Sequence, residues 1–184
     1  NYAGRVSSGT SLPTVYGSFG TNLTWKGLSV GALFTYSLGG KTLDSNYASY
    51  MSVGDSPSAL HVDMLKAWQQ APEGMTADSP NRIDPNGVPQ ANTYLGMYST
   101  TGWSTRFLTS SDYLVFKNLN VSYELPRKWT APLQLKSLNV GVSIDNLFTL
   151  TKRTGMNPQQ SFSGTQGTTF VTARVYSFQL TARF

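Results

Sequence analysis

The sequence predicts an all-β chain: about five antiparallel C-terminal strands of a large transmembrane β-barrel, with long extracellular loops. Three observations predict it. Apolar and polar residues alternate with a period of two in five separate stretches, which sorts them onto the two faces of a strand. Each stretch runs about ten to thirteen residues, whereas globular strands usually run about five or six and a bilayer takes about nine to eleven at barrel tilt. Short and long connections also alternate, as the inner turns and outer loops of outer-membrane barrels do.

Residues 1–13 are a loop rich in Gly, Ser, Thr and Pro. In the hairpin at 14–38, Val15, Phe19, Leu23 and Trp25 alternate with Tyr16, Ser18, Asn22 and Thr24. Lys26-Gly27 makes a tight turn, with Gly available for positive φ. Leu28, Val30, Ala32, Phe34, Tyr36 and Leu38 then alternate with Ser29, Gly31, Thr35 and Ser37, and Leu33 is the one apolar intruder on the second face. Residues 39–112 show no comparable alternation. A connection of that length in a compact domain is a functional loop or a small subdomain, and it is assigned as the long extracellular loop. Within it, Ser58 is expected to cap a helix carrying Leu60, Met64, Leu65 and Trp68 at helical spacing, stopped by Pro72. The remainder, with Pro80, Pro85, Gly87 and Pro89, reads as irregular.

The strand pair at 113–150 comes next. Tyr113, Val115, Leu119, Val121, Tyr123 and Leu125 are expected on one face, against Asn118, Asn120, Ser122 and Glu124. After a short connection through Pro126, Trp129 and Pro132, Leu138, Val140, Val142 and Ile144 oppose Asn139, Gly141, Ser143 and Asp145. Parity blurs at Asn146-Leu147-Phe148, where a bulge is expected. A second extracellular loop, 151–171, leads to the closing strand, 172–184, in which Tyr176, Phe178, Leu180, Ala182 and Phe184 alternate with Ser177, Gln179, Thr181 and Arg183. Trp25, Tyr123, Trp129 and Phe184 then fall at one rim as an aromatic girdle, and Tyr36, Tyr113 and Tyr176 at the other.

Composition agrees. Charged residues make up only 12% of the 184 and aromatics 12%, with 17 Gly and 10 Tyr, where average chains carry about a quarter charged residues. No run of about 18 apolar residues is present, so no transmembrane helix is predicted. That leaves a barrel untouched, because alternation halves the hydropathy of each strand. Asn1-Tyr2-Ala3-Gly4-Arg5 has neither the basic nor the apolar region of a signal peptide, so the expectation is a mature protein or a piece of a longer one. The absence of Cys removes disulfides, thiolate metal sites and thiol nucleophiles. The net charge of +5 comes from 14 basic residues scattered singly or in pairs such as Arg127-Lys128 and Lys152-Arg153. With no basic stripe, no nucleic-acid partner is expected.

Several phrases resemble the late barrel strands of SusC/RagA-type TonB-dependent transporters of Bacteroidota. They are Val15-Tyr-Gly-Ser-Phe-Gly-Thr-Asn-Leu-Thr-Trp-Lys-Gly27 with the strand after it, and Ser111-Asp-Tyr-Leu-Val-Phe-Lys-Asn-Leu-Asn-Val-Ser-Tyr-Glu-Leu-Pro126. A third is Asn146-Leu-Phe-Thr-Leu-Thr151, followed by Gly155-Met-Asn-Pro158. The resemblance covers nearly the whole chain, although the long loop is matched only around Leu65-Lys-Ala-Trp68. Asp145 stands where the family commonly carries an amide, which bears on lumen polarity.

The resemblance implies an integral outer-membrane barrel of about 22 strands, surrounded by outer-membrane lipid and covered by a SusD-like surface lipoprotein. It implies uptake of oligosaccharides or peptides, with the TonB complex acting through a plug and contact segment that this chain does not contain. No enzyme and no cofactor is expected, for want of any catalytic constellation in the residues. The closing strand Tyr176, Phe178, Leu180, Ala182 and Phe184 resembles the terminal strand by which such barrels are recognised for assembly. Five strands cannot close a barrel, and open edges in lipid leave backbone groups unpaired at several kcal/mol each. The chain is therefore expected to be a C-terminal segment paired at both edges with the remainder of the same transporter.

Catalytic chemistry finds little support in the residues. His61, the only His, has no companion nucleophile and reads as solvated or at an interface. The nine carboxylates are dispersed, so no acid/base pair is visible. Asp84-Pro-Asn86-Gly87 lacks the further ligands and terminal Glu of a calcium loop and reads as a turn. Asn22-Leu-Thr24 and Asn120-Val-Ser122 match glycosylation sequons but lie inside strands. Trp68, Tyr94, Tyr98 and Trp103 supply either a stacking surface for sugar or peptide, or packing against the barrel wall or the lipoprotein. Two other classes remain open: a passive outer-membrane porin or adhesin barrel, and a soluble all-β carbohydrate-binding module.

Overall fold

The computed structural model describes residues 7–52, 59–76, 87–88, 104–152, 157–159, 163–166 and 170–184. The chain divides into two compact units, one of residues 1–42, 109–164 and 169–184, the other of 43–108 and 165–168. In chain order the elements are β1 (Val15–Trp25), β2 (Leu28–Leu38), β3 (Lys41–Asp44), α1 (Ser45–Tyr50), β4 (Leu108–Ser110), β5 (Tyr113–Glu124), α2 (Arg127–Thr130), β6 (Ser137–Thr151), β7 (Thr165–Gln166) and β8 (Val175–Arg183).

The first unit is built on a five-stranded sheet in the order β1-β2-β5-β6-β8, antiparallel at every pair. Each long strand therefore lies beside the next long strand of the chain, and the sheet is open, as the barrel-wall expectation requires. The strands run 11, 11, 12, 15 and 9 residues. A strand of 11 residues spans about 36 Å, which crosses about 25 Å of apolar layer at a tilt of about 45°. Trp25 faces Leu28, so Lys26 and Gly27 alone make the first turn. Their φ angles are 47° and 87°, the doubly positive pair of a type I′ hairpin turn.

Two register slips lie side by side. Leu33 faces Asn118 and Phe34 faces Phe116, which leaves Lys117 unmatched on β2. Phe116 in turn faces Phe148 and Asn118 faces Asp145, so Asn146 and Leu147 stand against Lys117 alone. The bulge expected near Asn146 is present, and a second one at Lys117 accompanies it. Asn146 takes φ 52°, a left-handed conformation that Asn tolerates better than most residues. Its Oδ1 accepts Lys117 Nζ at 2.9 Å, and its Nδ2 donates to Ala173 O at 3.0 Å. One amide thus ties β5, β6 and the approach to β8.

The Lys117 bulge corrects one expectation. Tyr113 and Val115 do not share a face with Leu119: they stand opposite Ser37 and Thr35, while Leu114 and Phe116 take the apolar face opposite Tyr36 and Phe34. A single extra residue exchanges the faces of everything beyond it.

The second unit, at 43–108, has its own small core of Ala48, Met51 and Phe107, with Leu43, Tyr47, Met64 and Val88 packed on it. Helix α1, which the sequence did not announce, starts where Asp44 Oδ1 accepts the Tyr47 N–H at 2.8 Å, an N-cap in the usual sense. β3 pairs in parallel with β7 through Leu43 and Thr165.

The helix expected from Ser58 is not formed as expected. Ser58 lies outside the described residues, and Val62–Lys66 makes only a short 3₁₀ turn, capped by His61. Of Leu60, Met64 and Leu65, only Met64 packs on the core, while Leu60 and Leu65 are exposed. Without an apolar face to bury, a helix this short has nothing to sustain it. Ala67 then turns extended and bridges Val88.

Candidate functional site

The sheet presents two chemically different faces. On one, Phe19, Phe34, Phe116 and Phe148 form a row across four strands. Phe19 stacks on Phe34 at 5.0 Å between ring centroids, Phe34 on Phe116 at 4.3 Å, and Phe148 meets Phe116 edge-on at 5.6 Å. These are favourable aromatic geometries. The same face continues through Ala32, Leu119, Ile144 and Tyr176, then Val30, Val121, Val142 and Phe178, then Val140 and Leu180. Phe178 is 83% exposed and Leu180 71%. Among the described residues, Val115 is the one buried apolar side chain of the five long strands, at 1% exposure. A water-soluble sandwich buries one sheet face in a core. This sheet buries neither.

The opposite face is polar. Asn118 Nδ2 donates to Asp145 Oδ1 at 2.7 Å and to Ser143 Oγ at 3.3 Å. Thr24 and Ser29 hydroxyls lie 3.3 Å apart. Gly31 keeps the face low between Asn22 and Asn120: a Cβ there would stand 2.7 Å from Asn22 Oδ1. The Asn118 amide thus gives the Asp145 carboxylate a donor on this face.

Aromatics expected at the rims fall as follows. Trp25, Leu28, Tyr123 and Val140 share one row across the sheet, and Lys26 Nζ lies 4.9 Å above the Trp25 ring. Trp129 is exposed on α2, with Lys128 Nζ 5.9 Å from its ring centre. Tyr36 and Tyr176 lie on the apolar face, paired with Leu114 and Ile144. Tyr113 lies on the other face and does not join Tyr36. Tyr176, Phe178, Leu180 and Ala182 share the apolar face of β8, and Phe184 beyond it is exposed.

Where β6 passes Asp145 it outruns β8, because the β6–β8 register stops at Asp145 opposite Val175. Beside this overhang lies a pocket lined by Asn146, Phe148, Thr149, Thr151, Asn157, Gln159 and Arg174, among others. Asn157, 7% exposed, donates to Thr172 Oγ1 at 2.8 Å and accepts the Gln159 N–H at 3.1 Å.

In the loop unit, Asp63 is a hub. Tyr47 donates its hydroxyl to Asp63 Oδ2 at 2.7 Å, and Lys66 Nζ lies 3.6 Å from Oδ1. The Tyr47 hydrogen bond, helped by His61 and Lys66, holds the Asp63 carboxyl below the usual carboxylate range against partial desolvation. His61 Nδ1 stands 3.2 Å from both the Asp63 N–H and Oδ2, and its ring meets Tyr47 edge-on at 4.8 Å. His61 is therefore a structural cap. Trp68 is half-buried and donates its backbone N–H to Val88 O at 2.9 Å. Leu65 (82%) and Val62 (66%) are the most exposed apolar residues beside it. Tyr94, Tyr98 and Trp103 lie outside the described residues.

No protein-family model matches the chain. It is 25% identical over 160 residues to the TonB-dependent receptor P3 of Formosa agariphila, a match covering 87% of this chain and 14% of that receptor. Among solved structures it superposes on the RagAB peptide transporter with a TM-score of 0.72 and 23% identity, over 96% of this chain and 18% of the other. The RagAB peptide importer in its open-open state gives 0.69 over 94% and 17%. The fold is thus that of a stretch of such a barrel, and the chain spans less than a fifth of the proteins it matches.

Proposed function

We propose that this chain is part of an outer-membrane nutrient importer of the SusC/RagA type, energised through TonB. In this reading the five strands are barrel wall, with the phenylalanine row towards lipid and the Asn118 face towards the lumen. The supporting observation is the two-faced sheet, whose apolar face carries exposed side chains such as Phe19, Phe178 and Leu180 among the described residues. The cargo is an oligosaccharide or peptide; the structurally similar RagAB is named a peptide importer. Motor action belongs to the plug and TonB contact, so no catalytic role is proposed for any residue here.

The loop unit at 43–108 is assigned to the outer surface, where a SusD-like lipoprotein caps the barrel. Val62, Leu65 and Trp68 are proposed as partner or ligand contacts, together with Tyr94, Tyr98 and Trp103. Trp25, Tyr123, Trp129 and Tyr36 anchor the wall at the membrane interfaces. The strand Tyr176–Phe184 serves barrel assembly.

The test is uptake by cells carrying the whole gene, with and without TonB. Loss of uptake without TonB is the expected result. Uptake of the same cargo that persists without TonB would make the barrel a passive porin.

A further inference from the structure

We propose that the overhanging edge of β6, residues 146–151, is a docking edge for an extended peptide whose carboxylate is held by Arg174. The inference rests on the outer-membrane importer reading and narrows its cargo to peptide at this subsite.

Three observations converge. First, β8 covers β6 only up to Asp145. Beyond it, every second residue of the overhang turns its N–H and C=O away from β5, and among the described residues no backbone hydrogen bond meets them there. An unpaired strand edge offers main-chain donors and acceptors at the spacing of another extended chain, which is how sheets take up peptides. Second, among the described residues that line the pocket beside this edge there is no carboxylate. Arg174 borders it without an ion-pair partner among the described residues. Lys117 Nζ, on the Asn146 side, is held by a neutral amide. Third, the polar floor is fixed. Asn146 and Asn157 have both ends of their amides engaged, and among the described lining residues the Arg174 guanidinium is the one cationic group that can meet an anion.

A guanidinium fork matches a carboxylate through two parallel hydrogen bonds. A peptide running along the edge would place its terminal carboxylate, or an acidic side chain, against Arg174. Sugar hydroxyls have no regular alternation of donor and acceptor to match a strand edge.

The test uses the whole transporter in lipid nanodiscs and fluorescence polarisation of a labelled extended hexapeptide. Its acid and amide forms are compared, with a uronate hexasaccharide as competitor. The acid should bind about ten- to a hundredfold more tightly than the amide, the range of a lost charge-assisted contact. Arg174→Gln should erase that preference, Arg174→Lys should keep part of it, and Arg183→Gln, at the far end of β8, should leave it unchanged. Methylating alternate peptide nitrogens should weaken binding. Heat-modifiable migration of each variant reports that the barrel has folded. Equal binding of acid and amide, a preference surviving Arg174→Gln, or displacement by the uronate at equal concentration would each overturn the proposal. So would absent peptide binding with TonB-dependent uptake intact, which leaves the importer reading standing.

Discussion

Phe34 and Phe116 stack with ring centroids 4.3 Å apart and planes 15° from parallel, at the pair where the ladder slips past Lys117. The slip brings Phe116 onto the apolar face, and the stack holds it there. Leu114→Arg and Phe116→Arg should each cost about 2–4 kcal/mol of folding into a bilayer, while Asn118→Arg and Asn120→Arg on the polar face should cost far less. Equilibrium folding of the whole barrel into vesicles measures this. Comparable losses on both faces would refute the parity.

Phe116→Ala should lose about 1 kcal/mol through the missing stack, beyond the area it leaves unfilled. Phe19→Ala, which removes only the outer member of the row, should lose less. Denaturant titration in the same vesicles gives both values.

Gly27 has φ 87° and would bring a Cβ to 2.9 Å from Glu124 O, so Gly27→Ala should destabilise by about 1–2 kcal/mol. Lys26→Asn at φ 47° should be neutral or slightly stabilising, because Asn-Gly suits this turn. If both changes prove equally harmful, the turn geometry is not what limits the hairpin.

The ends of β2 and β5 are clamped where the long insertion leaves and returns. Gly39 N–H donates to Asp112 Oδ1 at 2.6 Å, and Ser111 N–H to Gly40 O at 3.0 Å. Replacing residues 43–108 with a short Gly/Ser linker should therefore leave a heat-modifiable barrel, since closure entropy grows only slowly with loop length. Uptake should fall, because the loop contacts go with it. A barrel that fails to fold after the exchange would contradict the clamp.

Asp63 is held below its ordinary titration range chiefly by Tyr47. For a depressed carboxylate, the stabilisation is present above the unfolded value of about 4 and is lost as pH falls through the lower folded value. Tyr47→Phe removes the main cause, so the loop unit should become protease-sensitive at a higher pH than in the parent, within the acid range. Limited proteolysis from pH 7 to 3 reads the difference. Identical profiles would mean that Asp63 does not hold the unit together.

Much of the wall was legible because a period of two needs only one strand to be visible. Tyr176, Phe178 and Leu180 declare their face without any neighbour. Lys117 was not legible: its unmatched place exists only against Leu33 and Phe34, on a strand some eighty positions earlier, and no local pattern encodes a cross-strand slip. The overhang at 146–151 was hidden for the same reason, since it depends on where β8 begins to pair. In the loop, Leu60, Met64 and Leu65 have helical spacing, yet the core is completed from α1 and Phe107. A 3₁₀ turn that turns Met64 to that core is all it needs.

The two-residue turn also sets an order of events. β1 and β2 meet across Lys26-Gly27 with almost no chain to close, whereas β2 reaches β5 only after more than seventy residues. Local pairs form on microsecond timescales and distant ones wait for slow closure. The hairpin at 15–38 should therefore exist first, offering the free side of β2 as a template. β5 can dock on it late, when its insertion has already collapsed around Met51 and Phe107.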